Sequence, residues 1–266
     1  MSDALVLASH EGPVLTLTLN RPSALNTFTE ALHKELLAAL DEAAADTGVR
    51  CLVLTGAGRG FCAGQDLSDP MVAPTPAGTP PKDLSRVISL LYKPLVQRLK
   101  SMPVPVVAAV NGVAAGAGAN LALNCDFVIA GQSASFIQAF AKIGLIPDTG
   151  GTWLLPRLVG RARAMGLAML GDKLSAAEAE RFGLIWKCVD DAALAGETRQ
   201  LAERLAAMPM KALASTRRAI DRAQHLTLDQ ALDKEATVQA ELGRSHDYLE
   251  GVAAFAAKRA PVFTDR

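Results

Sequence analysis

The sequence has no excess of charge of either sign: its 27 Lys and Arg balance its 27 Asp and Glu. No overall field then draws it to nucleic acid or to an anionic membrane surface, and neither is expected as a partner. Cysteine is scarce. Cys51, Cys62, Cys125 and Cys188 show no CxxC spacing and no dense framework, and each has apolar neighbours, as reduced thiols packed as small hydrophobes in a cytoplasmic protein would. The opening MSDALVLASHEGPV has an early acid and no basic stretch leading into an apolar core, so no secretory leader is expected. Long apolar runs are missing too. The best candidate, 104–119, is interrupted by Pro105, Asn111 and several glycines, which argues against a membrane span.

Several chemical signatures are absent. His10, His33, His225 and His246 do not pair at metal-ligand spacing, and no metal is expected. No G-x-x-x-x-G-K-S/T occurs, the stretch 112–118 lacks the full dinucleotide fingerprint, and no G-x-S-x-G elbow supports a hydrolase. Cys62 has no activating His or Lys in the nearby sequence and reads as a packing residue. A small-molecule site of another kind is left as the default.

What is present is 266 residues, half of them hydrophobic, enough for one domain with an appended helical piece. VLTLTLN over 14–20 alternates as a half-buried strand does, and RPSALN then supplies a turn. Leu32, Leu36, Leu37 and Leu40 are spaced for a helix over 30–45, and CLVLTG over 51–56 reads as a buried strand. The unit repeats with a helix over 84–100, a strand over 104–112, a helix over 117–124 and a strand over 125–130. The segment 136–143 then leads through GLIPDTGG into a helix ending at Leu158. Such alternation predicts an α/β fold with a parallel core. Proline makes 69–83 an irregular flap, and 175–182, 192–208, 211–225 and 228–260 read mostly as amphipathic helices. The expected division is a core over 1–200 and a helical subdomain over 201–266.

Three glycine-rich turns follow buried strands or loops: GAGRGFCAG over 56–64, AGAGA over 115–119 and DTGG over 148–151. Glycine lets backbone approach a ligand closely, although each turn taken singly could be a tight connection. Together NRPSALNTF, GRGFCAGQDL, VPVVAAVNGVAAGAGANLALNCDFVIA, GLIPDTGGTWLLPRLVG and EGVAAFAAKRAPVF resemble, in this order and over nearly the whole chain, the crotonase or enoyl-CoA hydratase/isomerase family. The resemblance implies a crotonase-like spiral of ββα repeats, a helical C-terminal trimerisation region, a homo-trimer or hexamer, and an acyl-CoA thioester substrate. No cofactor is expected, because CoA is part of that substrate.

The resemblance also implies roles. Main-chain N–H groups of Gln65 and Ala117 would grip the thioester oxygen, the residues Ala24, Leu25, Ala63, Gln65, Asp66 and Leu67 would line the CoA path, and Phe255 and Lys258 would reach a neighbouring subunit's CoA. Asn120 and Phe140, counted with the substrate-binding residues, stand where hydratases of the family carry two glutamates. Neither can act as a general base. Asp148 is then the candidate catalytic acid, with helix capping as its structural alternative. Its apolar neighbours Leu145, Ile146 and Pro147 are expected to raise its pKa. The match is strongest to isomerases that convert ring-1,2-epoxyphenylacetyl-CoA to oxepin-CoA and move 3-enoyl-CoA double bonds to the 2-position. Dienoyl-CoA isomerisation, lyase chemistry, hydration and non-catalytic acyl-CoA binding stay open as alternatives, as does loop packing for Ala24, Leu25 and Asp66 and a solvated helix face for Lys258.

Overall fold

The computed structural model describes residues 4–76 and 78–266, so the first three residues of the opening segment and residue 77 of the flap lie outside the described residues. Six strands make one sheet: β1 (Val6–Glu11), β2 (Val14–Leu19), β3 (Cys51–Gly56), β5 (Val106–Val110), β7 (Phe127–Gly131) and β10 (Lys187–Val189), adjacent in that order. The hairpin β1–β2 is antiparallel and every other pairing in this sheet is parallel. Four three-residue strands make a second sheet in the order β4 (Gly60–Cys62), β6 (Val113–Ala115), β8 (Ser135–Ile137) and β9 (Lys173–Ser175). The chain crosses from the first sheet to the second at β3–β4, β5–β6 and β7–β8, and a helical segment follows each crossing. This is the expected spiral of ββα repeats. Its second sheet was invisible as periodicity because three residues are too few to show a period.

The helices are α1 (Glu30–Ala45), α2 (Ser85–Val87) continuing through a π-helical turn (Ile88–Tyr92) into α3 (Lys93–Ser101), α4 (Ala117–Leu123), α5 (Gly151–Leu170), α6 (Ala176–Phe182), α7 (Leu194–Ala206), α8 (Met210–Ala223), α9 (Leu228–Leu242) and α10 (His246–Ala256). Thr29 caps α1 by accepting from Leu32 N, and Leu32, Leu36 and Leu40 are its buried stripe. The helix expected to end at Leu158 runs on to Leu170, across a break at Gly160 (φ +75°). The helix expected over 228–260 is two, because the chain turns after Leu242 and Ser245 caps a new start.

The inner strands of the six-stranded sheet are covered on both faces, while β1 is exposed beyond Val6. Leu15, Leu17, Leu52, Leu54, Val106 and Ala108 join the main core, while Cys51, Val53, Val107, Ala109 and Ile129 face Ala202, Leu205 and Ala206 of α7. Two-sided burial explains why β5 reads VVAAV without alternation, and each leucine buried in this way contributes roughly 1.5–3 kcal/mol. The division expected at 200/201 therefore falls inside α7, a helix that belongs to the sheet. Among the described residues no helix is long and apolar enough to cross a membrane.

Candidate active site

The glycine turn after β3 is held from below by Asn26. This side chain is fully buried, its Nδ2 donates to the carbonyls of Ala57 (3.0 Å), Gly60 (2.9 Å) and Phe61 (3.1 Å), and its Oδ1 accepts from Arg21 N (2.8 Å). RPSALN is thereby stapled to GRGFCAG. Leu25 and Asn26 both take left-handed backbone (φ +49° and +57°), and Ala63 N donates to Leu25 O at 2.9 Å, so Ala24, Leu25 and Ala63 meet as half-buried residues along one wall. Asp66 is used within its loop: Oδ1 accepts from the Ser68 hydroxyl (2.6 Å) and Oδ2 from Arg21 (3.0 Å). The Ser68 bond, helped by Arg21, holds its pKa below the ordinary value. Leu67 is exposed.

Above this frame the first two glycine turns meet. Phe28 pairs with Gln65 as a parallel bridge in which Phe28 N donates to Gly64 O (2.7 Å) and Asp66 N to Phe28 O (2.9 Å). That pattern turns the N–H of Gln65 itself away from Phe28. A Cβ built on Gly64 would lie 2.8 Å from Ala115 O and 3.6 Å from Ala117 N, so the two glycine turns touch here. Ala117 is the first residue of α4, whose N-cap Gly116 makes no side-chain bond. Among the described residues neither the Gln65 nor the Ala117 N–H has a hydrogen-bond partner. Unpaired N–H groups of this kind, one of them on the first residue of a helix, are chemically suited to an oxygen that gains negative charge.

The third glycine turn docks on α4. Asn120 Nδ2 donates to Asp148 O (2.8 Å) and Asn124 Nδ2 to Thr149 O (2.9 Å), while Gln138 Nε2 donates to Asn120 Oδ1 (2.9 Å). A Cβ on Gly151 would strike Asn120, which is why this contact needs glycine. Asn120, expected among the substrate-binding residues, is fully buried with both ends of its amide engaged and braces the Asp148 loop. Phe140 is buried too, its ring 3.7 Å from where a Cβ on Gly116 would be, and it roofs the second glycine turn with hydrocarbon.

The Asp148 carboxylate is half-buried and accepts from Thr149 Oγ1 at 2.7 Å. Helix α5 takes Gly150 as its N-cap without a side-chain bond, so the carboxylate is not spent on capping. Burial raises its pKa above the ordinary 3.8, against the smaller lowering effect of the Thr149 bond. Cys62, in contrast, is wholly buried, its thiol pushed up to about 12 by desolvation, and it packs rather than reacts.

Phe255 and Lys258 lie elsewhere in the chain's own fold. Phe255, 87 % exposed, borders a groove of about 410 Å³ with Tyr248, Val252 and Phe263, and Lys258 follows α10 in left-handed backbone (φ +52°). Nearby, His246, Asp247 and Asp265 bring ligand-type atoms within 4.8 Å of one another, a grouping that histidine spacing did not reveal. Asp247 Oδ1 there accepts from Thr264 N (2.7 Å) and Asp265 N (3.1 Å), clamping the C-terminal segment. Sequence reasoning also missed Asn26, Asn124, Gln138 and Tyr92. For Asn26 the available signal was its place in the Pro-bearing turn RPSALN, since asparagine in turns often bonds backbone.

Residues 9–266 match the family model described as enoyl-CoA hydratase/isomerase. The chain is 55% identical over 261 residues, 98% of each chain, to the 1,2-epoxyphenylacetyl-CoA isomerase of Escherichia coli K12, and 34% identical over 261 residues, again 98% of each, to the trans-2-decenoyl-[acyl-carrier-protein] isomerase of Streptococcus mutans. Its fold superposes with a TM-score of 0.90 on the crystal structure of enoyl-CoA hydratase from Bacillus anthracis, at 32% identity, covering 98% of this chain and 100% of that one. Fold, family model and relatives agree: this chain belongs to the enoyl-CoA hydratase/isomerase family of enzymes.

Proposed function

We propose that the chain is an isomerase of CoA thioesters, converting ring-1,2-epoxyphenylacetyl-CoA to oxepin-CoA and 3-enoyl-CoA to 2-enoyl-CoA. One observation carries this reading. A single partly desolvated carboxylate, that of Asp148, belongs to a loop held by Asn120 in the turn of α4 that opens at Ala117, while the positions of a second acid are occupied by that committed amide and a phenyl ring, Phe140.

In the double-bond shift, the thioester oxygen sits between the Gln65 and Ala117 N–H groups, and Asp148 removes the proton on carbon 2. The electron pair moves into the thioester to give a dienolate, whose oxygen the two donors stabilise; one such donor is worth about 3 kcal/mol. Asp148 then returns the same proton at carbon 4. Substrate and product have the same atoms, so the step requires no cofactor and no water. Ala24, Leu25, Ala63, Asp66 and Leu67 border the CoA path. The exposed apolar residues of α9 and α10 support a homo-oligomer, trimer or hexamer, in which Phe255 and Lys258 of one copy approach the CoA of another, in the cytoplasm.

The test is product analysis of the purified protein with both thioesters, run in deuterated water. The reading expects oxepin-CoA and 2-enoyl-CoA, with part of the migrating hydrogen retained as protium because one residue carries it. It is abandoned if both thioesters are recovered unchanged, and a dominant 3-hydroxyacyl-CoA product would make the chain a hydratase.

A further inference from the structure

Gln65 enters the proposed mechanism through its backbone, yet its side chain is held at both ends. Its Nε2 donates to Phe28 O at 3.0 Å, and its Oε1 accepts from the Tyr92 hydroxyl at 2.8 Å. Phe28 O also accepts from Asp66 N, so the side chain and the following peptide are tied to one carbonyl. Tyr92 is itself fixed. It is 2 % exposed, edge-on to Phe28 (centroids 5.6 Å) and to His33 (4.3 Å), and His33 stacks on Phe28 at 4.3 Å. It ends the π-helical turn between α2 and α3, a local widening of the kind that recurs at functional sites. A buried phenolic O–H aimed at a glutamine amide is a costly arrangement to leave unpaired, so each group holds the other in place.

We infer that Tyr92 is a positioning residue for the isomerase reaction, its hydroxyl fixing the Gln65 side chain and through it the direction of the Gln65 N–H. Rotating that peptide by a small angle lengthens the bond to a charged oxygen more than it weakens binding of the neutral thioester, because the donor acts chiefly where charge develops. Burial, with the nearby negative charge of Asp148 as the next cause, pushes the ionisation of Tyr92 far upward, which keeps the phenol a donor at all working pH values. The inference rests on the isomerase reading given above.

Tyr92→Phe in the full-length protein keeps the ring that Phe28 and His33 pack against and removes the hydroxyl alone. For 3-enoyl-CoA, kcat is expected to fall about tenfold, the value of one well-made hydrogen bond, with KM within about twofold of wild type. The absorbance red shift of a bound chromophoric aryl-enoyl-CoA, which reports polarisation of the thioester carbonyl, is expected to shrink in parallel. Gln65→Leu, which removes the partner, should reproduce both changes, and the double variant should fall no further than the worse single one. A Tyr92→Phe enzyme with wild-type kcat and an undiminished red shift overturns the inference, as does a loss confined to KM or multiplied in the double variant. Inactivity of the wild-type enzyme on both thioesters would instead defeat the isomerase reading itself.

Discussion

The loops around Asp148 and the C-terminal helices solve opposite problems. Around the site, buried amides are matched almost one for one: Asn26 holds backbone of the first glycine turn, and Asn120 and Asn124 together hold that of the third. In α9 no residue is buried, and Leu228 (74 % exposed), Tyr248, Leu249, Val252 and Phe255 face outward. The amide bonds of the first region are all made within one chain. The second has an apolar surface that a single copy leaves in water, a property that marks interaction sites. Catalytic geometry and assembly should therefore respond to different substitutions.

The sharpest separation is expected from Asp148→Asn. It should lower kcat by about 10²–10⁴-fold, the usual contribution of a positioned acid–base, with the oligomer and Tm unchanged; a matching loss of Tm would mean that the loop is structural. In the wild type, the carboxylate must be ionised to take a proton, and burial raises its pKa above 3.8. The log kcat/KM profile should thus bend down on the acid side at a pH above that value, and the bend should vanish in the Asn variant.

Next comes Gly64→Ala. At φ +94°, with Ala115 O 2.8 Å from the new methyl group, the two donor turns must part. A drop in kcat of about 10²-fold is expected, comparable to loss of one oxyanion donor, while the oligomer persists. Wild-type kcat here would break the link between turn contact and catalysis.

Smaller still is a stability effect at His33, buried with both ring nitrogens unpartnered among the described residues. Desolvation lowers its pKa from 6.5 to about 4, against the opposing pull of Asp69. As pH falls from 6.5 towards 4 the unfolded chain takes up the proton first, so stability present above 6.5 declines by about 3 kcal/mol across that window. His33→Leu should flatten this slope in denaturant titrations at pH 4.5 and 7. Phe255→Ser has the least effect on the isolated fold, about 0.5 kcal/mol or less, but should move sedimentation towards the monomer. An unchanged sedimentation profile would remove Phe255 from the interface.

Much of the frame was legible because burial and period coincide. Helix α1 matches its expected span, and β3 does too, since Leu32, Leu36 and Leu40 show a helical stripe and CLVLTG is buried on both faces. The strands β4, β6, β8 and β9 were not legible, because their pairing is set by neighbours distant in sequence rather than by their own three residues. Asp148 was singled out through the family resemblance, since its own letters fit a helix cap equally well. The role of Asn120 was not legible, because an amide facing substrate and an amide bracing a loop have the same letter. Tyr92 lay inside an ordinary helical pattern, and only the side-chain contact across 27 positions gives it meaning.

Gln65 is anchored by strand-type pairing to Phe28, whereas the Asp148 segment is suspended from α4 by the side-chain amides of Asn120 and Asn124. A segment hung on side chains can be exchanged without unpicking a ladder. Inheritance can thus vary the tool while the vice stays closed, and one ancestral scaffold can diversify its reactions a few letters at a time.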